Sequence, residues 1–364
     1  MRFARPDRAC CAPLICDASL GYYERRFMTI KMILTISILL FATKAIALGE
    51  SNIPFDAARD RYWNMLVSEK YKQLEHESKS AREDLAPLAD GQPRLAAFYA
   101  GVSGCLTSGC RNTLSSADWK LRFEKLKKWV ASDPNSNTAK IALATYDLEY
   151  GWAARGQGPV DTVTPLAMAI FREYVDRARV RLIGLENIGK SDPGWYTSLL
   201  RVARSQGWPR KDFIALYGEA LNKFPGYIPI YYEMATYLAP RWYGSIPELR
   251  SYIDEVTKNT YSTMGGTLYT RLNWLMSTDN MFQNGQASWG RMRMGFERII
   301  KDYPDPWNIN NYAMFACLAG DSETFAKLNK TINGDPIIAA FWGSRQNYDI
   351  CVSRISDGKL NTNK

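Results

Sequence analysis

Apolar positions recur at helical spacing along most of the chain. Phe55, Ala58, Tyr62, Met65 and Leu66 form one stripe, and Tyr71, Leu74, Ala81 and Leu85 form the next. Residues three and four apart share one face of a helix, so each stripe predicts an amphipathic helix. Leu95, Phe98, Tyr99 and Val102 follow. The motif Ser115-Ser-Ala-Asp118 then has the form of a capping box and opens a helix carrying Trp119, Phe123, Leu126 and Val130. Further helices are expected over 141–152, 166–185, 195–203, 213–224, 230–238, 249–256, 268–276, 289–300, 312–318 and 325–328. Alternating strand-like runs of any length are missing, and the breaks are short and rich in Pro, Gly, Asn and Asp. The pattern predicts an all-α fold.

One junction occurs three times. Trp129-Val-Ala-Ser-Asp133-Pro134 leads into Thr138 and Ala139, Leu221-Asn-Lys-Phe224-Pro225 into Tyr231 and Tyr232, and Ile300-Lys-Asp-Tyr303-Pro304 into Asn311 and Tyr312. Proline cannot continue a helix, and small residues on the following helix permit close packing. This is the junction expected between units of a tetratricopeptide-like α-solenoid of stacked antiparallel helices, with irregular repeat lengths. Each unit would bury its stripe against its neighbours only, giving a single helical-repeat domain over 48–364 with a short flexible C-terminal tail.

The N-terminal segment alters the expected compartment. From Met28 the chain has Lys31, an almost wholly apolar run over 33–43, and Ala45-Ile-Ala47. These are the basic, apolar and cleavage regions of a signal peptide, with the cut expected after Ala47. The run falls short of the ~20 residues that span a bilayer, so a membrane association is expected only if this segment is retained. Residues 1–27 fit no targeting pattern and are expected to be an extension upstream of the true start. The signal implies a periplasmic or secreted bacterial protein.

Cysteine and charge fit this reading. Cys105, Cys110, Cys317 and Cys351 remain after the cut, and four cysteines in an oxidising compartment suggest pairs 105–110 and 317–351; free buried cysteines are the other reading. Residues 1–47 hold seven of the 46 basic and three of the 37 acidic residues, which leaves +5 of the formal +9. With no long basic run, nucleic acid is not an expected partner. Metal is not expected either, since the cysteine spacing is not C-x₂-C and His76 is the only histidine.

Several stretches resemble the DUF4034 domain family of bacterial proteins. They are Tyr150-Gly-Trp152-Ala-Ala-Arg155-Gly156, Pro229-Ile-Tyr231-Tyr232-Glu233-Met234 and Leu238-Ala-Pro240-Arg241-Trp242-Tyr243-Gly244-Ser245. Leu268-Tyr269-Thr-Arg271-Leu272 and Asn310-Asn311-Tyr312-Ala313 with Ala319-Gly320-Asp321 extend the likeness over residues 58–342. The resemblance implies a helical, tetratricopeptide-like fold and carries no catalytic residues.

Few motifs point to chemistry. Gly184-Leu-Glu-Asn-Ile-Gly189-Lys190-Ser191 has the letters of a phosphate-binding loop. That loop needs a strand before it and a helix opening behind it; here a charged helical segment precedes it and Asp192-Pro193-Gly194 interrupts the helix. An ordinary helix-ending turn is expected, with no nucleotide and no cofactor. His76 lies among charges, and no G-x-S-x-G or H-E-x-x-H occurs. Ser245-Ile-Pro-Glu248 caps the helix after the Pro240–Gly244 turn. The groove of a solenoid is its usual binding surface, and Trp152, Arg155, Tyr231, Glu233, Arg241, Trp242, Arg271 and Asn311 are the candidates to line it. The expected role is a binding or scaffold protein for a protein, peptide or envelope component. The alternative is an envelope-acting hydrolase using paired carboxylates such as Asp147 with Glu149 or Glu219 with Glu233.

Overall fold

The residue before a proline is driven out of the α region by the ring, and the three proline junctions show this with one shared geometry. Asp133, Phe224 and Tyr303 end their helices at φ/ψ of −140/86, −133/60 and −137/77. Each donates its backbone N–H back to the carbonyl four residues earlier, on Trp129, Ala220 and Ile299. The structure, a computed structural model, describes residues 53–104, 114–156, 158–278, 280–337 and 342–356. Among these it is all-α, with seventeen α-helices, and the one β contact is an isolated bridge between Pro87 and Pro93.

The helices run in chain order as α1 Pro54–Val67, α2 Tyr71–Glu83, α3 Arg94–Ser103, α4 Ser116–Ser132, α5 Asn137–Arg155 and α6 Pro165–Gly184. There follow the single turn α7 Glu186–Gly189, then α8 Pro193–Gln206, α9 Arg210–Lys223, α10 Ile228–Tyr237, α11 Ile246–Asn259, the turn α12 Tyr261–Met264 and α13 Thr267–Leu275. The last four are α14 Trp289–Asp302, α15 Pro306–Leu318, α16 Ser322–Ile332 and α17 Arg345–Ser356. Their starts follow local chemistry. Ser115 and Asp118 form the reciprocal capping box, while Ser136, Thr164, Asp192, Ser245, Ser288, Asp305 and Asp321 each accept a first-turn N–H.

Packing is mainly between helices close in sequence. α1 lies against α3, α4 against α5, α5 along α6, α8 against α9 and α10, α13 against α14, and α15 against α16. A stacked ring pair joins the two helices at every proline junction: Phe123 with Tyr146, Phe213 with Tyr237, and Phe296 with Tyr312, at centroid separations of 5.4, 3.9 and 4.9 Å. Glycines set the closest approaches. A Cβ on Gly101 would lie 2.4 Å from the Arg59 carbonyl, and one on Gly295 only 2.0 Å from Thr270 Oγ1. Tyr62, Phe98, Trp129, Trp195, Phe213, Phe296 and Phe315 are fully buried within one continuous core.

Some contacts join helices far apart in the chain: Arg82 of α2 and Tyr99 of α3 both donate to Asp192 at the start of α8, and the loop after α2 reaches further still. The loop after α2 carries Leu85 at φ +47 and Gly91 at φ +76. Asp90, fully buried, accepts hydrogen bonds from Phe55 N and Gln92 N, while its carbonyl accepts from Asn308 on α15. A side chain at Gly91 would strike Arg271 and Tyr303, each at 2.6 Å. The early and late helices therefore touch through a loop whose polar groups are satisfied across the gap. Periodicity reports which face a helix buries, not a tertiary bond made by a loop.

Cys317 and Cys351 form a disulfide between α15 and α17, with Cα atoms 5.8 Å apart. Cys105, Cys110 and the N-terminal segment over 1–47 lie outside the described residues. The span Gly49–Lys364 is one compact unit. No helix among the described residues is long and apolar enough to cross a membrane.

Candidate functional site

Helix α8 is buried on almost every side, yet it carries two arginines one turn apart, Arg201 and Arg204. Charges in such a position need partners, because an unpaired buried ion costs several kcal/mol. The partners come from the helices on either side. Glu149 of α5, with its side chain fully buried, pairs with Arg201 Nη1. Glu233 of α10 takes Arg204 Nη2 at 3.0 Å and lies 3.8 Å from Arg201 Nε. The seam between α5 and α8 continues this polar contact with Thr145 and Ser198 at 2.9 Å and with Trp152 Nε1 donating to Ser205 Oγ at 3.2 Å.

The charge chain ends against two tryptophans. The Arg204 guanidinium lies 4.5 Å from the Trp242 ring centroid, and Trp242 meets Trp152 edge-on at 5.8 Å. Arg155 covers Trp152 at 5.3 Å and donates to the carbonyls of Gly156 and Gly158. Trp242 is carried by the tight turn between α10 and α11, which has room only for glycine at 244: a Cβ there would lie 2.3 Å from the Leu238 carbonyl. Tyr243 ties this turn to α8 by donating to the Arg204 carbonyl at 2.9 Å. The result is a mouth of half-buried rings above a buried Glu149–Arg201–Glu233–Arg204 chain, with Arg241 exposed at its edge.

The electrostatics differ along the chain. Burial pulls the Arg201 pKa down, but Glu149 and Glu233 outweigh it and leave the pKa above its ordinary value. At Arg204 burial prevails, and the nearby Arg201 and Arg241 add to it, so its pKa falls below the ordinary value despite Glu233. Burial likewise lowers the pKa of Arg155. Positive charge is thus well compensated at the inner end and poorly compensated at the mouth.

Of the residues singled out from sequence, Trp152, Arg155, Glu233 and Trp242 come together here, with Arg241 beside them. Three others do not. Tyr231 is buried, donating to the Pro225 carbonyl at 2.8 Å, and Asn311 is fully buried, donating to the Trp307 carbonyl at 2.7 Å. Both stabilise helix starts and turns. Arg271 is buried at the Gly91 contact and bonds Tyr232. Sequence reading missed Arg201 and Arg204, although two arginines within the apolar run Leu199-Leu-Arg-Val-Ala-Arg204 signal buried ion pairs.

The other motifs are absorbed by the fold. In the phosphate-loop look-alike, Lys190 pairs with Glu186 at 2.9 Å and Glu219 at 3.3 Å, and Gly189 is packed against Trp195. His76 is exposed. The carboxylates considered for hydrolysis are all engaged: Asp147 by Arg177 and Arg181, Glu149 by Arg201, Glu219 by Tyr196 and Lys190, and Glu233 by Arg201 and Arg204. No cluster of three metal-ligating side chains occurs among the described residues. No family model, no curated protein and no solved structure matches the chain.

Proposed function

We propose that the chain is an exported binding or scaffold protein, not an enzyme, and that it engages a protein, peptide or envelope component at the Trp152–Trp242 mouth. The observation that carries this reading is the pairing of two half-buried tryptophans with arginines that lack a full complement of acids. Trp and Arg are the side chains most often found where binding energy concentrates. The signal-like segment over 28–47 and the Cys317–Cys351 bond support a periplasmic or extracellular site of action. The resemblance to the DUF4034 domain family stands on its motifs and adds no activity.

The test uses Arg241→Glu, because Arg241 is exposed and its reversal leaves the core packing intact. Capture of an envelope component by the wild-type protein, abolished in this variant at unchanged thermal stability, is the expected result. Equal capture by both proteins removes the mouth from the reading. Recovery of the protein from the cytoplasm alone removes export.

A further inference from the structure

We infer that the mouth takes an oxyanion, a carboxylate or a phosphate, held between Arg155 and Arg241 against the Trp152 and Trp242 rings. The inference rests on reading the mouth as a ligand site and names the chemistry it recognises. The charge account leads to it. Glu149 and Glu233 serve Arg201 and Arg204, and Glu233 is shared between both. Among the described residues, no acid pairs with Arg155 or Arg241 at the mouth. Arg155 donates to the neutral carbonyls of Gly156 and Gly158, and Arg241 makes no ion pair among the described residues.

A second observation points the same way. Arg204 Nε is buried and makes no hydrogen bond, although the side chain is only 9% exposed. Its guanidinium therefore holds an unused donor next to the Trp242 face. A guanidinium presents paired N–H groups matched to the two oxygens of a carboxylate or phosphate. Half-buried indole rings beside it exclude water from one side of such a contact and strengthen it. Burial lowers the pKa of Arg204, and the neighbouring Arg201 and Arg241 add to that, a repulsion that a bound anion would offset. Indole faces also favour a flat group next to the anion.

Calorimetric titration with hippurate, its methyl ester and inorganic phosphate tests the inference on the whole chain. Hippurate should bind, with the uncharged ester at least ten-fold weaker, and the Arg155→Gln/Arg241→Gln variant should lose at least ten-fold at unchanged thermal stability. Phosphate binding tighter than hippurate assigns the anion to a phosphate; the opposite order assigns it to a carboxylate. Equal binding of acid and ester, or binding by neither anion, overturns the inference. If neither anion binds while Arg241→Glu still abolishes capture of the envelope component, the mouth stands as the ligand site and only its anion chemistry fails.

Discussion

Asn308 donates its side-chain amide to the backbone carbonyl of Asp90 at 3.1 Å, joining positions 218 residues apart in the chain. The same amide reaches the Tyr303 carbonyl at 3.0 Å, so one side chain satisfies two buried acceptors. A stack held only by nearest neighbours unfolds piecewise from its ends. This bond couples an early loop to a late helix, and unfolding should be correspondingly cooperative.

Asn308→Ala should therefore cost about 1–3 kcal/mol, the penalty for leaving buried acceptors without donors. It should also broaden the denaturant transition by freeing residues 84–93. Hydrogen exchange checks this: Gly91 N and Leu88 N, bonded within the loop, should lose protection before the amides of α5 and α8. A sharp single transition with uniform loss of protection would show that the loop does not couple the two ends.

Glu149 and Arg201 offer a second test. Both are buried, so removing either charge takes an ion-pair partner from the other, leaving Arg201 only the Glu233 contact at 3.8 Å, at a cost of about 3 kcal/mol. Glu149→Leu alone and Arg201→Met alone should each destabilise the protein strongly. The double variant should recover much of the loss, because two apolar side chains need no partner, although Glu233 then keeps only Arg204. Additive losses in a double-mutant cycle by chemical denaturation would refute the pairing.

Where the sequence could be read and where it could not follows from what periodicity encodes. Stripes such as Phe55 to Leu66 and caps such as Ser115 and Ser245 are local, and the structure places helices on them. The Asp133, Phe224 and Tyr303 junctions were visible because proline acts on the residue just before it. α17 was not predicted, since its packing depends on the disulfide and on Tyr348 reaching Asn329, neither of which leaves a stripe. Four of the mouth residues were legible as Trp and Arg at the end of a helix (Trp152, Arg155) or in a turn (Arg241, Trp242). Tyr231 and Asn311 belong to the same motifs, and only burial separates them from the mouth.

Reducing the Cys317–Cys351 bond should act mainly on α17. The bond spans 34 residues, which corresponds to about 3–4 kcal/mol of chain entropy in the simplest account. Cys317→Ser/Cys351→Ser should lower stability by that order and increase proteolysis near Arg345 and Arg354 first, while the rings of the Trp152–Trp242 mouth keep their environment. Limited proteolysis with fluorescence checks it. Equal cleavage with and without reductant would mean that Trp342 and Tyr348 hold α17 without the bond.

Asp305 gives a pH dependence of defined sign. It caps α15 by accepting from Trp307 N at 2.9 Å, and its pKa is raised above 3.8 by burial, outweighing that bond, with Asp90 adding like-charge repulsion. A carboxyl whose folded pKa is raised binds its proton more tightly in the folded state, so its contribution to stability is present below the unfolded pKa and is lost as pH rises through the folded one. Asp305→Asn keeps a side-chain oxygen of comparable capping strength and removes the charge. The variant should melt higher than wild type at pH 7, and the gain should shrink as the pH falls toward 3.8. Melting curves across pH 3.5–7, taken on the order of half a unit apart over the range in which Asp titrates, measure it. A variant less stable than wild type at pH 7 would show that the ionised carboxylate is worth more to the α15 N-terminus than its repulsion from Asp90 costs.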